Sequence, residues 1–390
     1  MIVRILVIQI VAPPTAIEVA LALGRGRDLP LVEPPQIGHR DIKLDKTPLT
    51  MINLRAQTIS ADTELFMVQQ GRMAGRMVAM WKPFRGILEV GVQHWGRSEA
   101  EIEELPESVQ DVYNQYTAIV NIIPSIPDVI MDQGPTSISL IARSLDSGRR
   151  STRASDINSI KSHINQWRAW NPSFKTTMPH TLGFNNLSTG ALLCPANLDW
   201  TDPAVQKGLR DGTIRAGPRD LPKYLWKNEY CDPDPSRALV GFLQGDLLIR
   251  GIRHLLIAPS AAHLAGSSHS TRKGNAAIHD VTFISIWLVA YTACIIHFVL
   301  STQTIMAAGN SRADPTKWRY EEFYKTIIKT AMALPQSSLE RLLVWWSKTI
   351  FGAGYDNGDD DDDKRRQSNR SIPSIASIVQ AAASTGDLGI

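Results

Sequence analysis

The sequence predicts a mainly α-helical protein: a multi-helix globular domain with long, proline-punctuated loops and a disordered C-terminal tail. The first observation is composition, since 43% hydrophobic and 20% charged residues in a 390-residue chain are typical of a globular protein. The second is that apolar residues recur at helical spacing in several segments. The third is that prolines cluster between those segments, where they end helices because they lack an amide donor.

In the first half of the chain, helices are expected in three segments. Residues 1–60 show no sustained period and are predicted to be irregular, whereas a helix is expected within 61–82. Ser108 and Asp111 resemble a capping box at the start of a second helix, which Pro124 ends. The segment 153–170 has apolar residues on one face and Ser155 as its predicted cap.

Five helices are expected in the second half. Asp202-Pro203 predicts an N-cap and first helical residue, and Gly212 a helix stop. A proline-rich turn at 232–236 is expected to lead into a helix over about 237–257. An apolar helix is predicted over about 275–306, with Asn275 as its cap. Two amphipathic helices, about 316–333 and 337–351, complete the set.

These patterns divide the chain into four predicted regions. They are an irregular N-terminal segment (1–60), a helical N-terminal part (61–143), a helical domain (144–355) and an acidic and basic tail (356–390). The tail contains five successive aspartates, Asp359 to Asp363, followed by Lys364-Arg365-Arg366. Like charges at this density repel one another, so the tail is predicted to be disordered.

The segment 281–300 has two interpretations. Residues 281–311 contain no Asp, Glu, Lys or Arg, and a run of this length suffices to span a bilayer of about 30 Å. However, His297 and a polar stripe of Thr282, Ser285 and Thr292 lie within it. A helix buried in a large α-helical core has the same composition, and we favour that interpretation over a single membrane span.

No enzyme signature is present. The chain lacks a Walker loop, a zinc-protease helix, a nucleophile elbow and a C-x-x-C pair. His254, His263, His269 and His279 have spacings that fit no zinc motif, although pairing with Ser260, Ser267 or Ser268 stays open. We therefore predict no cofactor and no metal, leave the catalytic residues unassigned, and lean against an enzyme.

Charge provides the remaining functional hypothesis. The net charge of +3 is nearly balanced, but residues 140–170 and 205–275 are locally basic and include Trp167, Trp170 and Trp226. Such segments can form a nucleic-acid surface of cations and stacking rings. The alternative is that acidic and basic blocks compensate and the tryptophans fill the core. The candidate nucleic-acid contacts are Arg149, Arg150, Arg153, Lys161, Arg168, Arg272 and Lys273.

A series of sequence blocks carries a family resemblance. In order along the chain, they include the segments 189–195, 198–202, 230–235 (Tyr-Cys-Asp-Pro-Asp-Pro), 271–276 and 342–346 (Leu-Leu-Val-Trp-Trp). Over about 144–351 the chain resembles an uncharacterised domain family of basidiomycete fungi, a domain of unknown function. The resemblance implies a helical domain in a soluble protein. It supplies no activity, cofactor or catalytic residue.

The favoured function is a non-enzymatic interaction module with an unknown protein partner. Three cysteines are too few for a disulfide framework, so we expect an intracellular protein, cytoplasmic or nuclear. One alternative is a nucleic-acid-associated protein linked to a mobile element. A second is a single-span membrane protein through 281–300, and a metal-dependent enzyme has the least support. No small-molecule ligand is predicted.

Overall fold

The structure, a computed structural model, describes residues 60–263, 274–309 and 318–352. The predicted irregular segment before residue 60 and the predicted tail both lie outside these residues. The described chain forms thirteen α-helices: α1 (Ala61–Met77), α2 (Phe84–Gln93), α3 (Glu99–Glu103), α4 (Glu107–Ile122), α5 (Ile126–Gln133), α6 (Ser137–His163), α7 (Leu187–Leu193), α8 (Pro203–Asp211), α9 (Asp246–Leu256), α10 (Asn275–Ile278), α11 (Ile286–Leu300), α12 (Tyr320–Met332) and α13 (Gln336–Phe351).

Between the helices the described chain contains short 3₁₀ turns and two isolated bridges, Pro195 with Pro222 and Trp226 with Phe242, and no strand. The prediction of a mainly α-helical fold is confirmed. The helices predicted within 61–82 and near 203, 316 and 337 are confirmed as α1, α8, α12 and α13.

Helix α8 shows that short-range chemistry predicts boundaries well. The Asp202 carboxylate accepts a hydrogen bond from the Ala204 amide at 2.8 Å, and Gly212 adopts a left-handed conformation with φ of 80°. The capping box predicted at Ser108 is wrong, because Ser108 lies inside α4, which starts after Pro106. A capping box occurs instead at Ser98 and Glu101, at the start of α3.

Three predicted boundaries are corrected by the structure. Helix α6 starts at Ser137 rather than near 153, and Ser155 lies in its interior. Helix α9 starts at Asp246 rather than 237, since Leu243 has φ of 58°, which a right-handed helix excludes. The helix predicted over 275–306 is two helices, α10 and α11. Asn275 caps neither, because its side-chain amide donates to the Leu255 carbonyl oxygen at 2.6 Å.

Helices α1 and α6 pack unusually closely, because three glycines lie between them. A Cβ placed on Gly71 would lie 2.3 Å from the Leu145 carbonyl oxygen, and one placed on Gly148 would lie 2.0 Å from the Val68 carbonyl oxygen. Gly75 faces Arg149 in the same way. These small residues therefore let α1 pack closely against the middle of the 27-residue α6.

Helix α11 is the central core helix. All of its 15 residues are buried, and they pack with those of α1, α6, α9 and α12. At a rise of about 1.5 Å per residue it measures roughly 22 Å, short of a hydrocarbon layer of about 30 Å. No helix among the described residues is long and apolar enough to cross a membrane. The alternative of a membrane span through 281–300 is therefore corrected to a buried core helix.

A buried ionic network joins three helices at this core. The Arg76 guanidinium on α1 donates to both carboxylate oxygens of Asp156 on α6, at 2.8 and 2.7 Å. The Tyr291 hydroxyl on α11 donates to Asp156 Oδ2 at 2.7 Å. Burial alone would lower the pKa of Arg76, but the Asp156 charge and hydrogen bonds raise it above its ordinary value. Arg76 therefore stays protonated in the core.

The predicted boundary between residues 143 and 144 falls inside helix α6. One hydrophobic cluster contains Phe84 and Ile119 before that boundary and Ile252 and Ile295 after it. Residues on either side of the boundary therefore share one core in the described chain.

The close contact between α1 and α6 predicts that one methyl group added at Gly71 or Gly148 destabilises the protein. Gly71→Ala and Gly148→Ala should each destabilise the protein by about 1–3 kcal/mol, because the new Cβ meets backbone that must move. Gly86→Ala in α2 is the matched control, since its Cβ would meet nothing within 4 Å. It should be neutral or stabilise by up to about 1 kcal/mol. Urea unfolding measures all three, and equal effects at Gly71 and Gly86 would contradict the close packing.

The ionic network predicts strong coupling between α1 and α6. Arg76→Met alone should cost about 3–5 kcal/mol, because it leaves the Asp156 carboxylate buried without its cation. Adding Asp156→Asn should recover part of this loss, since the unpaired charge is then removed. A double-mutant cycle in urea measures the coupling, and additive effects would show that the two side chains act independently.

Candidate functional site

The segment between Trp226 and Phe242 forms a loop with a buried base. Both rings are buried, and their centroids lie 5.0 Å apart. The Lys227 amide donates to the Gly241 carbonyl oxygen at 2.9 Å, which closes the chain into what we call the 227–241 loop. The Trp226 indole N–H donates to the Ala238 carbonyl oxygen at 2.7 Å. The loop is thus fixed to the core at both ends.

Inside the loop, short polar side chains fix the backbone. Asp232 accepts from the Asp234 amide at 3.0 Å, and Asp234 accepts from the Ser236 amide at 2.9 Å. Pro233 and Pro235 restrict the intervening φ angles. The Arg237 guanidinium pairs with Asp232 across the turn at 3.2 Å. The chemistry that predicted a rigid turn at 232–236 therefore has its expected structural effect.

Several residues near the loop base adopt unusual backbone conformations. Asn228, Glu229 and Leu243 have φ of 57°, 59° and 58°. Such conformations cost about 1–3 kcal/mol each in non-glycine residues and persist only when surrounding contacts hold them. One such contact is the ion pair between Glu229 and Arg168, and the Arg168 guanidinium also lies over the Trp170 ring.

The held loop exposes apolar side chains on its two arms. Tyr230 on the first arm is 61% exposed, and Val240 on the second is 63% exposed. Leu239 beside it is 39% exposed. Large apolar side chains on a rigid backbone are typical of interaction surfaces, since little conformational entropy is lost on binding.

The predicted nucleic-acid contacts on α6 are engaged within the protein. Arg149 is buried, pairs with Asp146 at 2.8 Å and donates to the Lys82 carbonyl oxygen. Arg153 donates to the Met80 carbonyl oxygen at 3.1 Å, and its guanidinium lies 4.4 Å from the Trp81 ring centroid. Both side chains fasten α6 to the connection between α1 and α2.

The other predicted contacts have different surroundings from one another. The Lys161 ammonium lies 4.8 Å from the Phe298 ring centroid, Arg168 pairs with Glu229, and Arg150 is exposed. Arg272 and Lys273 lie outside the described residues. Trp167 and Trp226, the proposed stacking rings, are buried, and Trp170 is partly buried. Nucleic-acid contact by these residues stays a prediction.

The histidines lie in a different arrangement from the one considered in sequence. The His254 Nε2 lies 2.7 Å from the Ser159 hydroxyl, a serine on α6 rather than one of the loop serines. The His163 ring lies 5.0 Å from that of His254. His263 Nδ1 lies 3.0 Å from the Gln166 carbonyl oxygen, and His269 is outside the described residues. In the described chain, no group of three or more His, Cys, Asp or Glu residues is placed to hold a metal ion.

Sequence reasoning missed the exposed loop because it assigned Leu239 and Val240 to the buried face of a helix. Their spacing to Leu243 and Leu247 fits a helix, yet Gly241 and Gly245 interrupt that segment. Gly245 packs against Tyr224, where an added Cβ would lie 1.9 Å from its carbonyl oxygen. The two glycines were the available signal that the helix begins later.

Comparison with family models identifies the protein family of the chain. A family model described as a family of unknown function (DUF6698) matches residues 147–351, just over half of the chain. The chain belongs to this family. No curated protein and no solved structure matches the chain. The resemblance over about 144–351 to a domain family of unknown function is confirmed, and its basidiomycete origin stays a prediction.

The DUF6698 match covers part of α6 and all of α7 to α13. It begins inside α6 and ends at Phe351, the last residue of α13. It contains the 227–241 loop, Asp156 and Tyr291. It leaves out α1, so Arg76 lies outside the matched region although its carboxylate partner lies within it. The helices before the match therefore contribute to the core of the family region.

The buried His254 predicts acid sensitivity. Burial lowers the pKa of His254 from 6.5 to about 4, so the unfolded chain binds this proton more readily than the folded chain. Stability should therefore fall as the pH drops from about 6.5 to 4, by up to roughly 3 kcal/mol from this side chain. His254→Gln keeps a hydrogen-bonding side chain beside Ser159 but does not titrate. Urea unfolding at pH 7 and pH 4 should show a smaller loss for the variant; an equal loss would assign the sensitivity to other groups.

Proposed function

We propose that this chain is a non-enzymatic interaction module that binds a protein partner through the 227–241 loop. The observation that carries the proposal is the combination of a fixed backbone and exposed apolar side chains on both arms. Tyr230 and Val240 are each more than 60% exposed, while Trp226 and Phe242 at the base of the loop are buried. The buried base fixes the loop, so its apolar side chains stay exposed to solvent.

The energetics of association favour this surface. A mobile loop loses side-chain and backbone entropy when it binds, whereas the 227–241 loop has its turns fixed by Asp232 and Asp234 before binding. Tyrosine is among the residues that contribute most at interfaces, because its ring is large and rigid and its hydroxyl bonds at the rim. We therefore expect Tyr230 to fill an apolar pocket of the partner.

Charged groups around the apolar side chains give the surface a polar rim. Lys227 and Arg237 are exposed on opposite arms of the loop. Rim charges tune the association rate and selectivity more than the affinity. A partner suited to this loop has a central apolar pocket and charges of both signs at its edge, because Asp232 and Asp234 accompany the two cations on the loop.

The proposal predicts a selective loss of binding. Tyr230→Ser with Val240→Ser should weaken a partner at least tenfold, since truncation of a central tyrosine typically costs about 2 kcal/mol or more. The matched control is Ile278→Ser with Ile305→Ser, because those side chains are equally exposed, at 60% and 65%, but lie outside the loop. Partners found by quantitative affinity mass spectrometry with the unaltered chain are purified and titrated against all three proteins.

Both double variants replace exposed side chains, so their unfolding midpoints should stay close to that of the unaltered chain. A partner that binds the unaltered chain and the control equally, and the loop variant much more weakly, supports the proposal. A partner that binds all three proteins with the same affinity would contradict it.

A further inference from the structure

A surface groove runs along α12, on a part of the chain separate from the 227–241 loop. It has a volume of about 770 Å³ and is bounded by the solvent-facing side of α12, by Arg219 and by the backbone at Ala308 and Gly309. This volume lies in the range of sites that accept small molecules, roughly 300–1,000 Å³. The sequence did not predict a small-molecule ligand, because the groove combines residues about a hundred positions apart.

Cations line the groove in two groups. At one end, Arg219 and Arg319 both pair with one carboxylate, Glu322, at 2.9 and 2.8 Å. One negative charge therefore holds two guanidinium groups side by side. These arginines are 84% and 56% exposed, so their donors remain accessible to a ligand.

At the other end, Lys325 and Lys329 lie one turn apart on α12. Lys325 pairs with Glu321 at 2.6 Å, while no carboxylate of the described residues lies within ion-pair distance of Lys329. The groove thus contains four cations and two carboxylates, an excess of two positive charges in a chain that is nearly neutral overall. Such an excess in a concave surface raises the local concentration of anions.

The remaining lining groups select the type of anion. Thr326 and Thr330 add two hydroxyl groups to the lining. Among the described residues no aromatic ring lines the groove, so it offers no platform on which a base would stack. Arginine forks and lysine ammonium groups together with hydroxyls are the usual ligands of phosphate oxygens.

We infer that this groove binds a compact polyphosphate anion, with the arginine pair holding one phosphate and the lysine pair another. The exposed ion pairs to Glu321 and Glu322 do not prevent this, since such pairs contribute at most about 1 kcal/mol each and exchange readily. The inference is independent of the proposed function, because the 227–241 loop contributes no residue to the groove.

Isothermal titration of the full chain with inorganic triphosphate at an ionic strength of about 0.15 M, where the Debye length is about 8 Å, tests the inference. Lys325→Glu with Lys329→Glu should weaken binding at least tenfold, because it reverses the charge at one end of the groove. Arg85→Glu with Lys207→Glu is the matched control, since it makes the same change in net charge at exposed positions outside the groove. The control should bind triphosphate within about twofold of the unaltered chain, after screening of long-range charge effects.

A single-stranded oligonucleotide forms the second arm of the experiment. Binding of triphosphate that the lysine variant loses and the control retains would support the inference. Three results would overturn it: no binding of millimolar triphosphate to the unaltered chain, equal loss in both variants, or binding of the oligonucleotide alone. The last result would assign the groove to a nucleic-acid strand.

Discussion

The ion pair between Arg76 and Asp156 is the interaction on which the rest of the architecture depends. It lies where α1, α6 and α11 meet, and both of its carboxylate oxygens are used. A charged group in such a place is stable only when its partner is held in position, since an unpaired buried charge costs several kcal/mol. The glycine contact between α1 and α6 provides that positioning. Close packing and charge pairing therefore require each other at this junction.

This junction joins residues that lie before the family match to residues that lie within it. The match begins inside α6, yet the side chains of its Asp156, Arg149 and Arg153 each have a partner in residues 76–82, before the match. Two of the candidate nucleic-acid contacts, Arg149 and Arg153, thus attach α6 to the connection that follows α1. A basic residue on a long helix has the same sequence signature in both cases, because sequence alone does not show which face another helix covers.

Local chemistry predicted much of the fold, and long-range packing accounts for what it missed. Asp202, Pro203 and Gly212 predicted α8 because each acts within one helical turn. The first half of α6 was missed because Gly148 interrupts its apolar pattern, and the role of Gly148 depends on a helix more than sixty residues away. At the candidate site, the turn at 232–236 was predictable from Asp and Pro residues. The exposure of Tyr230 and Val240 was not, since it follows from the bridge between Trp226 and Phe242.

We expect α1 and the family-matched helices to form one cooperative unit through the Arg76–Asp156 junction. Native-state hydrogen exchange on the full chain tests it most directly, because the method gives the opening free energy of each helix separately. In one cooperative unit, backbone amides in α1 near Arg76 should open with the same free energy as those in the middle of α6 and α11. Amides of α1 that exchange through a much smaller opening free energy, while α6 and α11 stay protected, would contradict it.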